Sequence, residues 1–239
     1  MELFNNTTKL SLPEIAKEFS PLWWNELSDY ISNNKTSDSF DKLLYDLDNE
    51  RTKKTIYPAE EDMFKIFKLL PFEKVKVVIV GQDPYYNGNA DGLAFSCKQT
   101  LSPSLRQIFY AIYVDTKIKP KKDIQPFHLD YLVNQGVFLY NIILTVEKDK
   151  PLSHKGAGWE SFSKEVFRSL NKKEKLVWLL WGKEAQKQEV WIKNKKHLIL
   201  RAEHPTAAVR NDRIWTVNHF TETNKYLKEN GKEEIKWFF

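Results

Sequence analysis

Apolar and polar positions along this chain follow two successive patterns. In the first 56 residues apolar side chains recur at helical spacing. Ser11 before Leu12-Pro13-Glu14 reads as a capped helix start with proline in the first turn. Residues 23–31 make a second amphipathic stretch. A third follows Ser37-Asp38-Ser39 and sets Phe40, Leu43, Leu44 and Leu47 on one face. Residues 60–70 predict another helix, burying Met63, Phe64, Ile66, Phe67 and Leu70. Then the period shortens. Val77-Val78-Ile79-Val80 is a β-branched run that stops at Gly81. Similar runs come at Val137-Phe138-Leu139-Tyr140, Val177-Trp178-Leu179-Leu180-Trp181 and Leu198-Ile199-Leu200. Helical spacing over 104–114, 127–134, 159–170 and 184–193 separates them, and a last helix is predicted over 217–230. Strands apolar on both faces and separated by helices predict a parallel sheet covered on both sides. The expected fold is α/β: one domain over 1–239 with a central four-stranded parallel twisted sheet and helices on both faces. Its helical N-terminal part covers 1–56 and its α/β core 57–239.

Composition narrows the class. With 41% hydrophobic and 14% aromatic residues in 239, general disorder is excluded and one sizeable core is available. The longest purely apolar run, 176–181, is six residues, too short to span a membrane. The start, Met1-Glu2-Leu3-Phe4-Asn5, lacks the basic-then-apolar order of a secretory signal, so a soluble, cytoplasmic protein is expected. The single cysteine, Cys97, excludes an intrachain disulfide framework, a cysteine-rich zinc site and a four-cysteine iron–sulfur cluster. A net charge of +5 is mild. The clusters Lys119-Pro120-Lys121-Lys122, Lys172-Lys173-Glu174-Lys175 and Lys193-Asn194-Lys195-Lys196 read more readily as solvated ends than as nucleic-acid contacts. Charge alone does not decide.

The residues directly after each strand are more telling: Gly81-Gln82-Asp83-Pro84-Tyr85-Tyr86, then Asn141, then Gly182-Lys183, then His204-Pro205-Thr206. In open parallel sheets the binding crevice lies outside the carboxyl ends of the strands, so these four stretches converge. Each residue has a plain reading too. Asp83 before Pro84 suits an ordinary turn. Asn141 suits a loop-backbone partner, although an amide that donates and accepts also fits the edge of a nucleobase. A lone His204 is usually structural, and Phe95 in Gly92-Leu93-Ala94-Phe95-Ser96 could be core or a stacking platform for a base. His128, His154, His197 and His219 show no ligand spacing, and Gly88, Gly92 and Gly182 form no nucleotide-cofactor loop.

Together these stretches resemble family 1 uracil-DNA glycosylases. The segment 77–96, VVIVGQDPYYNGNADGLAFS, is similar to that family's water-activating motif and base-stacking segment. Ile56-Tyr57-Pro58 with Glu61-Asp62, GVFLYNIILTV over 136–146, Ser153-His154-Lys155 with Gly158-Trp159-Glu160, and Leu179-Leu180-Trp181-Gly182 with Ala185-Gln186 match in order. His204-Pro205 and His219-Phe220 with Thr223-Asn224 complete a resemblance over about residues 10–230. It implies a hydrolase that removes uracil from DNA and leaves an abasic site, starting base excision repair. In it Asp83 would stabilise the sugar cation and orient a water, and His204 would stabilise the departing base. Asn141 would pair with uracil, Tyr85 would exclude the thymine methyl, Phe95 would stack, and Gln82 would offer nearby contacts. DNA contacts are implied at Ser104, Gly182, Lys183, Pro205, Thr206, Ala208 and Arg210. Single- and double-stranded uracil-containing DNA are the implied substrates, a DNA-mimicking protein inhibitor is a further implied partner, and a monomer without metal or cofactor is implied.

The chain departs from the family's His-Pro-Ser-Pro-Leu-Ser loop, which here reads His204-Pro205-Thr206-Ala207-Ala208-Val209-Arg210. Ala208 stands where the family has its leucine wedge, leaving Arg210 or Arg213 as replacement wedge or phosphate clamp. Tyr86 stands where the family usually has histidine, and Lys183 where it has serine. These changes touch DNA handling, so retained excision with weaker capture from duplex than from single strands is expected. Two other readings compete: a catalytically weak DNA-binding homologue, and a different α/β enzyme acting on a small phosphorylated molecule.

Overall fold

The structure is a computed structural model that describes residues 12–33, 39–119, 127–210 and 213–238. Ser11, Ser37, Asp38 and the lysine cluster from residue 120 onward lie outside the described residues. The N-terminal part holds α1 (Leu12–Ala16), α2 (Pro21–Ile31) and α3 (Phe40–Arg51), followed by β1 (Ile56–Tyr57) and α4 (Lys65–Leu69). Ser39 caps α3 by accepting the Lys42 N–H at 3.2 Å. The α/β part runs β2 (Val77–Gly81), α5 (Pro103–Thr116), α6 (Asp130–Val133), β3 (Val137–Asn141), β4 (Val146–Glu147) and α7 (Trp159–Asn171). It continues through β5 (Val177–Trp181), α8 (Lys183–Lys187), β6 (Leu198–Ala202), α9 (Pro205–Arg210) and α10 (His219–Glu229).

The main sheet has the order β3-β2-β5-β6 and is parallel throughout, as expected. Every residue of β2, β3 and β5 is buried, because alternate side chains enter opposite layers. On one face Phe138 stacks on Trp23 of α2 at 5.0 Å, and Tyr140 and Trp178 meet Phe167 of α7 edge-on at 5.6 and 5.7 Å. On the other, Ile79, Leu139 and Trp181 face Leu105, Ile108 and Ile112 of α5 and Phe220 of α10 across a small apolar void. One hydrophobic core contains residues from Ile15 to Phe238.

The connections leave β2 towards β3 on one side and then cross to β5 on the other. That reversal opens a crevice beside the carboxyl end of β2. The paired register puts Gly81 opposite Asn141, and Trp181 opposite Ala202, so all four strands end at one edge.

Four local expectations are corrected. The helix over 60–70 is broken: a 3-10 turn at Glu60–Asp62 precedes α4, with Phe64 outside helical geometry between them. The backbone of Gly92 packs against the Asp62 carbonyl there, and a Cβ at 92 would come within 2.1 Å of it. The helix over 127–134 shortens to α6, because Phe127 accepts the Cys97 N–H at 2.8 Å and Leu129 donates to Ser96 Oγ at 3.0 Å. The helix over 184–193 tightens after α8 into a 3-10 turn at Gln188–Trp191. Leu198-Ile199-Leu200 is half-buried rather than covered on both faces, because β6 is the sheet's edge. The sequence pattern also gave no sign of the short antiparallel pair of β1 with β4, or of α9. No described helix is long and apolar enough to cross a membrane.

Candidate active site

The carboxyl ends of β2 and β3 and the segment after β6 enclose a cavity of about 260 Å³. Gln82, Asp83, Tyr85, Phe95, Ser104, Asn141, His204 and Arg210 all line it, with Tyr86 and Pro151. Residues separated by more than a hundred positions in the chain thus share one small space.

Asp83 leaves β2 in a turn and accepts the Leu152 N–H on Oδ2 at 2.9 Å. Burial pushes its carboxyl above the ordinary carboxylate range, and that backbone bond offsets only part of the shift. His204 is oriented by the first turn of α9. The Thr206 N–H donates to Nδ1 at 3.2 Å, and the Thr206 hydroxyl lies 2.8 Å from the same nitrogen. An Nδ1 that accepts a backbone N–H carries no proton, so the neutral ring holds its proton on Nε2. Burial, and secondarily the Arg210 charge, push this imidazole below its usual pKa of 6.5 and favour that neutral form.

Asn141 ends β3, and no described residue hydrogen-bonds its side-chain amide. The amide occupies the space a side chain at 81 would need: a Cβ there would lie 2.1 Å from Asn141 Oδ1 and 3.0 Å from the Ala94 Cβ. Glycine at the end of β2 is required for room. Phe95 sits at φ +64°, a left-handed backbone that costs a non-glycine residue about 1–2 kcal/mol. The Phe95 carbonyl accepts from the Tyr85 hydroxyl at 3.4 Å, and the Phe95 ring lies 6.0 Å from the His204 ring and 5.6 Å from Trp181. The Tyr85 hydroxyl lies 2.7 Å from Ser102 Oγ, which also caps α5 by accepting the Leu105 N–H at 3.1 Å. Burial pushes the Tyr85 phenol up, so it stays protonated.

A neighbouring cleft of about 290 Å³ is lined by Gly182, Lys183 and Thr206, and it shares Gln82, His204 and Arg210 with the cavity. Gly182, at φ +92°, turns the chain from β5 into α8 while its Cα faces the His204 side chain. Two of the expected DNA-contact positions lie on the inner side of α9. Ala208 is fully buried and Pro205 is buried, because α9 folds these positions inward as its packing face. Arg213 forms an exposed ion pair with Glu203 at 3.0 Å, so Arg210 is the cation at the cavity rim. Ser102, the Leu152 N–H and the Thr206–His204 pair were not found by sequence reasoning. The Ser102-Pro103 pair carried a helix-cap signal, but nothing in it named Tyr85 as a partner.

Asp91, His128 and Asp130 bring three ligand-type atoms within 4.8 Å of one another. The Lys65 ammonium already lies 3.0 Å from Asp130, and Asp91 accepts from Leu93 N–H and the Ser96 hydroxyl. That cluster has its cation in place.

A carboxylate, a neutral imidazole N–H and an unengaged amide, walled by two aromatic rings, suit hydrolysis at a glycosidic carbon beside a flat heterocyclic base. Comparison with known proteins agrees in class. The family description "Uracil DNA glycosylase superfamily" matches residues 67–228. The uracil-DNA glycosylase of Buchnera aphidicola is 42% identical over 217 residues, 88% of this chain and 96% of that protein. That of Haemophilus influenzae is 41% identical over 221 residues, 88% of this chain and 97% of that protein. The crystal structure of mimivirus uracil-DNA glycosylase shares the fold at a TM-score of 0.82 and 24% identity, over 99% of this chain and 97% of that one. A single-residue variant of mimivirus UNG in complex with UGI matches at a TM-score of 0.82 and 26% identity, over 92% and 89%. This chain belongs to the uracil-DNA glycosylase superfamily.

Proposed function

We propose that this chain excises uracil from DNA and that the cavity at the ends of β2 and β3 receives the extrahelical base. The observation carrying the reading is the meeting of Asp83, His204 and Asn141 in one cavity, with the amide unengaged and the imidazole neutral. The electron pair of the bond between deoxyribose C1′ and the base nitrogen departs with the base. The sugar becomes cationic, and the Asp83 carboxylate lies against it. The uracil anion accepts a hydrogen bond at its O2 from the His204 Nε2–H, which keeps its proton. Water then adds its oxygen to C1′, and its proton passes to Asp83.

Selectivity comes from the walls. The Asn141 amide accepts from uracil N3–H and donates to O4, a pair that cytosine reverses or lacks. Tyr85, pinned by Ser102, fills the space beside C5 that a thymine methyl would need. Phe95 stacks on the base, and Gln82 lies against its edge. Lys183 and Arg210 supply phosphate contacts around the rim, and the buried Ser104 offers its hydroxyl from the cavity wall. Besides the DNA and the attacking water, the scheme uses side chains of this chain, folded as one domain. Work on DNA fits a cytoplasmic protein. The UGI complex of the mimivirus relative makes UGI a ligand to test on the same face.

The test is incubation with an oligonucleotide bearing one deoxyuridine, single- or double-stranded, followed by alkaline strand cleavage. Cleavage at the uracil position that is lost with Asp83→Asn supports the reading. Ala208, buried on the inner side of α9, cannot act as a wedge, so the single strand is expected to react faster. DNA binding without cleavage would leave the chain a binding homologue and refute the scheme.

A further inference from the structure

We propose that Tyr86 forms a second subsite, a stacking platform for the nucleobase next to the extrahelical uracil in single-stranded DNA. The inference deepens the uracil-excision reading and rests on it. Tyr86 lines the cavity beside Asp83 and Tyr85, yet it is 44% exposed, so its ring stands at the mouth. Among the described residues its hydroxyl has no hydrogen-bond partner and its ring no aromatic or cationic neighbour. Tyr110 and Tyr113 are similarly exposed, but neither lines the cavity.

The ring is unengaged while its backbone is tied down. The Tyr86 carbonyl accepts the Asp149 N–H at 2.9 Å, and three residues on Leu152 donates to Asp83. The turn carrying Tyr86 is therefore laced to the turn at 149–152, whose Pro151 lines the same mouth. A ring with two rotatable bonds on a fixed backbone loses little entropy when a flat partner settles on it. Arg210, on the same rim, supplies the charge for the intervening phosphate. In a single strand the flanking base is free to stack on a protein ring. In a duplex it is already paired and stacked, so the platform adds little there.

The test compares kcat/KM of wild type, Tyr86→Ala and Tyr86→Phe on three substrates. These are a single-stranded deoxyuridine oligonucleotide, the same strand with tetrahydrofuran abasic spacers flanking the uridine, and the duplex. Tyr86→Ala is expected to lose about fivefold to twentyfold on the ordinary single strand, the low end of base–aromatic stacking. It should match wild type on the spacer-flanked strand, which keeps the phosphates but has no base to stack, and lose less on duplex. Tyr86→Phe should stay near wild type on all three. An equal loss on ordinary and spacer-flanked strands would place Tyr86 on the uracil or on Asp83 and overturn the subsite. Unchanged kcat/KM on the ordinary strand would overturn it as well. A wild-type chain inactive on every substrate would instead remove the excision reading, and the platform with it.

Discussion

Replacing Gly81 by alanine tests how the base-reading amide is seated. The new Cβ would lie 2.1 Å from Asn141 Oδ1, about 1.3 Å inside the 3.4 Å at which ordinary contact begins. The backbone cannot yield readily, because Gly81 and Asn141 are register partners and the Gly81 carbonyl accepts the Ile142 N–H at 3.0 Å. The amide must therefore rotate away. Overpacking of this kind costs about 1–3 kcal/mol of stability. Displacing an amide that donates once and accepts once removes two bonds to the base, each leaving a partner unpaired at about 1–3 kcal/mol. The fall in kcat/KM for uracil should then be on the order of thirtyfold to twenty-thousandfold. Excision kinetics on a deoxyuridine oligonucleotide and thermal unfolding of the same variants measure both. Adding Asn141→Ala to Gly81→Ala removes the colliding amide, so stability should largely return while activity stays low. The two activity losses should be far from additive, since both remove one amide. Gly81→Ala within about threefold of wild type, or additive losses in the double variant, would refute this account of the seat.

Three other residues carry expected outcomes. Burial holds the Asp83 carboxyl above its ordinary range, so activity should fall on the acid side at a pH above that of a free aspartate. A carboxyl with a raised folded pKa is less stabilising once ionised, so Asp83→Asn should abolish excision while leaving the melting temperature equal or higher near neutrality. His204 has a lowered pKa, so its neutral form is favoured in the fold and stability tied to it is lost as pH falls below 6.5. Nitrogen NMR at pH 7 should show one ring proton, on Nε2; a doubly protonated ring would contradict the tautomer. Ser102→Ala frees the Tyr85 hydroxyl and uncaps α5, costing about 0.5–2 kcal/mol. It should also narrow the ratio of uracil to thymine release, whereas Ser102→Thr should restore it; an unchanged ratio in the alanine variant would release Ser102 from that role.

Much of this was legible in the order of residues. Runs such as Val77 to Val80 announced buried parallel strands, and the polar residues directly after them announced where a site would lie. What could not be read was contact between distant segments. Leu198-Ile199-Leu200 is as apolar as the other runs, and only its place at the end of the strand order exposes it. Ala208 read as an open loop position because the helical turn that folds it inward starts at Pro205, where no periodicity has room to show. Ser102 caps α5 and bonds Tyr85 as well, and that second partner comes from another loop. Backbone donors such as the Leu152 N–H leave no mark on a sequence at all.

The placement of His204 just beyond β6 has a thermal consequence. That strand is bordered on one side only and is half-covered, so its hydrogen bonds to β5 should open before those of the interior strands. Warming should therefore silence the enzyme by fraying this border several degrees before the molecule as a whole melts, with amide exchange accelerating first at 198–202.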